Sequence, residues 1–145
     1  MRIAEFIPIV EKIMLERPVW FGLESDRVGT EDDLRLAESQ LGVRLPESYR
    51  EFVARFGGGY FAFGNVFSVD PSSEWYIVDR NKGIERGNFV AVSDNGVGDL
   101  YGFEDCDGVC NEKLVMLDVT GRALIVEPAC FRLTCCRSRD VLLHR

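Results

Sequence analysis

Five carboxylates fall between residues 94 and 107: Asp94, Asp99, Glu104, Asp105 and Asp107. Acids this close could hold a divalent cation or act as a proton donor–acceptor pair. Their spacing departs from an EF-hand loop, which alternates ligands ahead of a glycine and ends on a glutamate. Asp-based turns account for the same residues more simply, because these side chains hydrogen-bond the backbone just ahead of them. Other chemistry-bearing residues are sparse. The single histidine, His144, stands beside the last residue, where an imidazole is expected to be solvated. A Ser-His-Asp or Cys-His mechanism therefore has little to build on, and no histidine pair offers a metal site. Gly57-Gly58-Gly59 lacks the Lys and Ser/Thr that complete a phosphate-binding loop. The five cysteines, at 106, 110, 130, 135 and 136, are odd in number and fit no disulfide framework. Cys106, Cys110, Cys135 and Cys136 could form a four-sulfur zinc site, but without C-x-x-C knuckles, and reduced, buried thiols are the expectation. These residues predict no enzyme, no cofactor and no metal.

Charge and composition set the next bounds. The 145 residues are 46% hydrophobic and 28% charged, as expected of one globular domain spanning 1–145. The net charge is −7, but residues 130–145 carry a local +3 through Arg132, Arg137, Arg139 and Arg145 against Asp140, leaving −10 on the rest. An acidic body argues against nucleic-acid binding and for either simple solubility or a basic partner. No apolar run reaches the length of a membrane helix. The opening M-R-I-A-E-F-I-P-I-V-E-K is broken by Glu5, Pro8, Glu11 and Lys12, so it predicts neither a signal peptide nor an anchor, and the expected location is the cytoplasm.

The elements that must position these residues begin with helices. A first helix is predicted from Pro8 to Glu16, with Phe6, Ile9, Val10, Ile13 and Met14 on its apolar side. A polar loop from Gly22 to Gly29 leads to a helix pair. Thr30 is a good N-cap, Glu31, Asp32 and Asp33 favour the positive end of the helix dipole, and Leu34, Ala37 and Leu41 form one stripe. Gly42 suits a left-handed helix stop, and Pro46 suits the first position of the second helix. Tyr49, Phe52, Val53 and Phe56 give that helix its stripe, and the glycine triplet ends it. The second helix carries Arg50 and Arg55 against Glu47 and Glu51, so it is not a basic DNA-reading helix.

Strands follow. Tyr60–Phe63 and Val66–Val69 predict a hairpin turning at Gly64-Asn65. Pro71-Ser72-Ser73-Glu74 predicts a helix entry, with Trp75, Tyr76 and Val78 as its apolar residues and a strand as the competing reading. Phe89–Ser93 is a strand, Asp94–Asp99 a turn, and Leu100–Glu104 extended again. Cys106-Asp107-Gly108 turns the chain once more. Leu114–Asp118 and Ala123–Val126 make a hairpin around Thr120-Gly121, and a short last helix starts at Ser138. Helices first and short-linked strands after them predict an α+β fold, its N-terminal helices packed on one side of a mostly antiparallel twisted sheet. Of the aromatics Trp20, Tyr60, Trp75, Tyr76 and Tyr101, one or two are expected on a functional surface.

The segment L-G-V-R-L-P-E-S-Y-R-E-F, followed by F-G-G-G, resembles the SUKH superfamily, related to the fungal cell-wall synthesis regulator Smi/Knr. The features that carry the likeness are Glu38, Leu41, Gly42, Leu45, Pro46, Tyr49, Phe52, Gly57 and Gly58. A second similar block, F-V-A-V-S-D-N-G-V-G-D-L-Y-G-F, runs from Phe89 to Phe103, and Asn81 resembles a recurrent family position. The likeness spans roughly residues 5–128. Beyond it the chain departs from the aromatic, acidic closing helix of the family: residues 129–145 are basic and cysteine-rich.

The resemblance implies a non-catalytic immunity protein that neutralises a cognate bacterial toxin, often a nuclease. The acidic body suits a basic toxin surface. The alternative it implies is a regulatory protein-interaction scaffold like the fungal members. For either, the expected partner-binding surface is the Gly-Asp turn with neighbouring aromatics and exposed acids: Glu74, Trp75, Asp94, Asp99, Tyr101, Glu104 and Asp105. The acidic loop Glu24–Asp33 is the second choice.

Overall fold

The computed structural model of the protein describes residues 3–62, 64–84, 87–118 and 120–125. Helix α1 (Ile3–Glu16) leads through a 3-10 turn at Pro18–Phe21 to helices α2 (Glu31–Leu41) and α3 (Glu47–Phe56). Strands β1 (Gly59–Phe61) and β2 (Gly64–Val66) form a small hairpin, followed by a single-turn helix α4 (Ile77–Arg80). Strands β3 (Phe89–Asp94), β4 (Leu100–Cys106), β5 (Val109–Leu117) and β6 (Ala123–Ile125) make an antiparallel meander in sequential order. The fold is α+β, as the order of sequence patterns predicted.

The helix pair forms by the local rules read from its residues. Thr30 Oγ1 accepts from the Asp33 N–H at 3.1 Å while the Asp33 carboxylate accepts from the Thr30 N–H at 3.0 Å, a reciprocal capping box. Gly42 ends α2 with φ of 77°. Pro46 stands one place earlier than predicted, as the N-cap of α3, and offers no side-chain cap. Glu112 on β5 fills that role, accepting from the N–H groups of Glu47 (2.6 Å) and Ser48 (3.3 Å). The linker between the helices is stitched to the β4–β5 turn: Arg44 N–H donates to Gly108 O (2.7 Å) and Cys110 N–H to Arg44 O (2.9 Å). Leu34, Ala37, Leu45, Tyr49 and Val53 then bury against Phe67, Val69, Ile77 and the inner residues of β3–β5.

Behind that core lies a charged bridge. The Arg50 side chain, only 8% exposed, donates to Glu38 at 2.7 Å and to Glu31 at 2.6 Å. Glu38 Oε2 also accepts from the Leu45 N–H at 2.8 Å, fixing the turn between the helices. Burial disfavours a lone charge, so Arg50 is held by two acids, and its pKa lies above the usual arginine value because these contacts outweigh its desolvation.

Four local expectations are corrected. Helix α1 starts at Ile3, placing Pro8 inside it; of the predicted apolar side Val10 is buried, while Ile9 and Met14 are exposed. The helix is anchored by Phe6, whose ring centroid lies 6.2 Å from that of Phe52, and by a Glu11–Arg55 ion pair. The small hairpin reverses at Ala62 (φ 53°), not at Gly64-Asn65, which belong to β2. Residues 71–76 form turns rather than a helix or a strand. Asp70 Oδ1 takes the Ser72 N–H (3.0 Å) and Ser73 Oγ takes the Trp75 N–H (2.9 Å), so side chains capture donors that helix nucleation needs. Finally, β5 begins at Val109, five residues before the predicted start. The predicted last helix from Ser138 lies outside the described residues, as do His144 and Cys130, Cys135 and Cys136.

Candidate partner-binding surface

The Asp94–Asp99 loop is built by its own side chains. Asp94 Oδ1 accepts from the Gly96 N–H, and Asn95 Oδ1 accepts from the N–H groups of Val97 and Asp99, at 3.0–3.2 Å. Asn95 Nδ2 donates to Asp99 Oδ2 at 2.8 Å, which closes the loop. Gly96 and Gly98, with φ of 80° and 106°, supply left-handed turns that side chains resist. The tip is Val97, 74% exposed. Asn65 fastens this loop to β2: its Nδ2 donates to Asp94 O and Oδ1, both at 3.1 Å, and Ser93 Oγ donates to Asn65 O at 2.8 Å.

Between the loop and the β1–β2 hairpin lies a groove of about 350 Å³, lined by Leu23, Tyr60, Ala62, Asn65, Asp94 and Gly96 among others. Tyr60 joins it to an aromatic stack. The Tyr60 and Trp75 rings meet edge to face at 5.4 Å, and the Arg80 guanidinium lies 4.4 Å from the Trp75 centroid. Arg80 Nε donates to Glu74 O at 3.1 Å, which pins the stack to the 71–76 turns.

The seven expected surface residues divide. Asp94 walls the groove, Asp99 closes the loop, Trp75 is half-buried beneath Tyr60, and Glu74 is exposed beside it. Tyr101 is half-exposed on β4, paired with Ser93. Glu104 and Asp105 are not exposed acids: they are 2% and 8% accessible. Both lie on β4 between β3 and β5, in a stretch buried continuously from Gly102 to Cys106, so neither belongs to the exposed Asp94–Asp99 surface. The second-choice loop is largely structural. Asp26 accepts from Ser73 Oγ at 2.5 Å, and Arg27 donates to Asp33 at 2.7 Å, holding the Asp33 carboxyl well below the usual carboxylate range. Sequence reasoning missed Leu23, Ala62 and Asn65 as groove residues; the Gly64-Asn65 signal was there but reads as a turn. Among the described residues, no group of three or more His, Cys, Asp or Glu could hold a metal ion, and Cys106 and Cys110 are buried. No described helix is long and apolar enough to cross a membrane.

The SUKH_6 family model, described as SMI1-KNR4 cell-wall, matches residues 31–124. The chain belongs to this family. The match opens at the first residue of α2 and closes within β6, so it takes in the helix pair, the glycine triplet and the sheet. No curated protein and no solved structure matches the chain. In this SUKH protein the motif residues are framework. Glu38 holds Arg50 and the turn, and Tyr49 donates its buried hydroxyl to Phe67 O at 2.6 Å. A Cβ on Gly58 would lie 2.6 Å from Ser68 Cα, so the triplet permits a close chain crossing as well as a helix stop. Asn81 bonds the edge of β3, donating to Ala91 O (2.9 Å) and accepting from Ala91 N–H (2.8 Å). None of these is free to meet a partner.

Proposed function

We propose that this SUKH protein is a non-catalytic immunity protein, acting in the cytoplasm, that binds and neutralises a cognate bacterial toxin with a basic surface, a nuclease. The observation that carries the reading is the groove at the self-bonded loop, which presents Asp94 beside Tyr60, with Glu74 and Trp75 flanking. Rigid aromatics and fixed carboxylates suit capture of Lys and Arg, since little conformational freedom is lost on binding. A net charge of −7 adds long-range steering toward a basic protein.

The test is co-expression with the toxin encoded beside it, followed by stopped-flow association across a salt series. Association slows about tenfold or more between about 50 and 500 mM salt if steering operates. Glu74→Lys and Asp99→Lys each slow association several-fold, whereas Asp107→Lys, the same charge change at the opposite end of β4, does so only weakly. A neighbouring toxin that is neither bound nor neutralised defeats the reading. Recovery of several housekeeping proteins in its place supports the regulatory scaffold.

A further inference from the structure

A second cleft, also about 350 Å³, opens between the C-terminal end of α2, the segment 78–84 and the start of β3. It shares no lining residue with the Tyr60–Asp94 groove. Its apolar walls include Leu41, Val43, Val78 and Phe89, and Asp105 lies among its lining residues. Asp105 is 8% exposed, and no donor among the described residues reaches its carboxylate. Its backbone N–H donates to Asn88 O at 3.0 Å.

Among the described residues the cleft carries negative charge at Asp105 and no unpaired counter-charge. The carboxyl end of α2 reaches the cleft through Gln40 and Leu41, and its last turn carries no basic residue. Glu38, in that turn, is committed to Arg50. Lys82 at the cleft is 73% exposed and already paired with Asp79 at 3.0 Å. The Cys110 thiol, opposite Asp105 in the sheet, is pushed up to about 12 chiefly by burial and then by Asp105, Glu38 and Glu112.

We propose that this cleft is a receptor for an organic cation, an ammonium or guanidinium on an apolar stem, with Asp105 as its counter-ion. A matched cation gains an ion pair with a carboxylate largely withdrawn from water that meets no donor among the described residues. A guanidinium can engage both carboxylate oxygens while its stem lies on Leu41, Val43 and Phe89. An anion is rejected by the same charge. The volume is at the small end of ligand pockets, enough for a short-chain amine or one arginine-like side chain.

The full chain and Asp105→Asn are titrated with agmatine, cadaverine, neutral 1-pentanol and an acetylated Gly-Arg-Gly amide, followed by amide NMR shifts and thermal melting. Saturable shifts at residues 40–43, 78–84 and 88–90 are expected with a cation and not with pentanol. Asp105→Asn weakens binding about tenfold to a hundredfold. Agmatine binding without peptide binding assigns a free small molecule; comparable peptide binding assigns a side chain borne by another protein. Equal affinity of Asp105→Asn, or no saturable shift with any cation, overturns the proposal. So does a lower melting point of Asp105→Asn with no cation effect on the parent, because the carboxylate then serves a partner within the chain.

Discussion

Replacing Asn81 with alanine separates a side chain that completes the sheet from one that merely sits beside it. Asn81 donates to Ala91 O and accepts from Ala91 N–H, as a neighbouring strand would, and it also donates to Ile77 O at 2.9 Å. Ala91 is fully buried, so water cannot replace the lost partner. Ile77 O keeps the Asn81 backbone N–H at 3.1 Å and is not orphaned. Asn81→Ala therefore strands two backbone groups, each costing about 1–3 kcal/mol, which points to about 2–6 kcal/mol in total. Urea unfolding measures this as a lower midpoint with an unchanged slope. Asn81→Asp sharpens the test. At neutral pH it sets a carboxylate against two carbonyl oxygens and is at least as damaging as alanine. Relative to the parent at each pH it recovers part of the loss on acidification, as a protonated oxygen regains a donor. An alanine variant within about 0.5 kcal/mol of the parent would refute the reasoning, since the Ala91 groups would then have other partners.

Glu38→Ala removes one holder of buried Arg50 together with the acceptor for Leu45 N–H, and it is expected to destabilise by about 3–5 kcal/mol. Glu31→Ala, whose carboxylate is half-exposed, costs under about 1 kcal/mol in the same denaturant assay. Gly58→Ala drives a Cβ into the Ser68 backbone and should cost about 1–3 kcal/mol by thermal or urea unfolding, with no compensating gain from the smaller unfolded ensemble. Asp33 has its folded pKa depressed, chiefly by the Arg27 hydrogen bond and then by the Thr30 N–H. The unfolded chain takes up that proton first, near pH 4, so the stabilisation is complete above that pH and declines as pH falls further. Asp33→Asn flattens the acid limb of a stability–pH curve, and an unchanged limb would reject the assignment.

How far the residues alone carried the fold depends on the range of the interactions. The α2–α3 pair was legible from Thr30 to Gly59 because the α2 cap, the apolar stripes and the glycine stops are local, whereas the α3 cap comes from Glu112 on β5 and was not. The β3–β6 meander was legible from its turns, though β5 ran further back than its apolar pattern. Residues 71–76 misled because Ser and Asp side chains compete with helix hydrogen bonds, and periodicity does not register that competition. Gly64-Asn65 misled because a turn-prone pair is also a pair that bonds well across strands. For the surface, Asp94, Asp99, Trp75 and Glu74 did come together around one hairpin, while Leu23 and Tyr60 arrived from elements distant in the chain.

The chain by itself determined the family, the acidic charge, the helix pair and the succession of strands, because each is written in residue type and short spacing. Only the tertiary structure decided what the acids do. Asp94, Asp99, Glu104 and Asp105 look alike in sequence, yet two build a surface loop and two are largely buried on β4. The reason is that exposure of a strand residue depends on what covers both faces. Here those covers are α2, the 78–84 segment and neighbouring strands, brought in from tens of residues away.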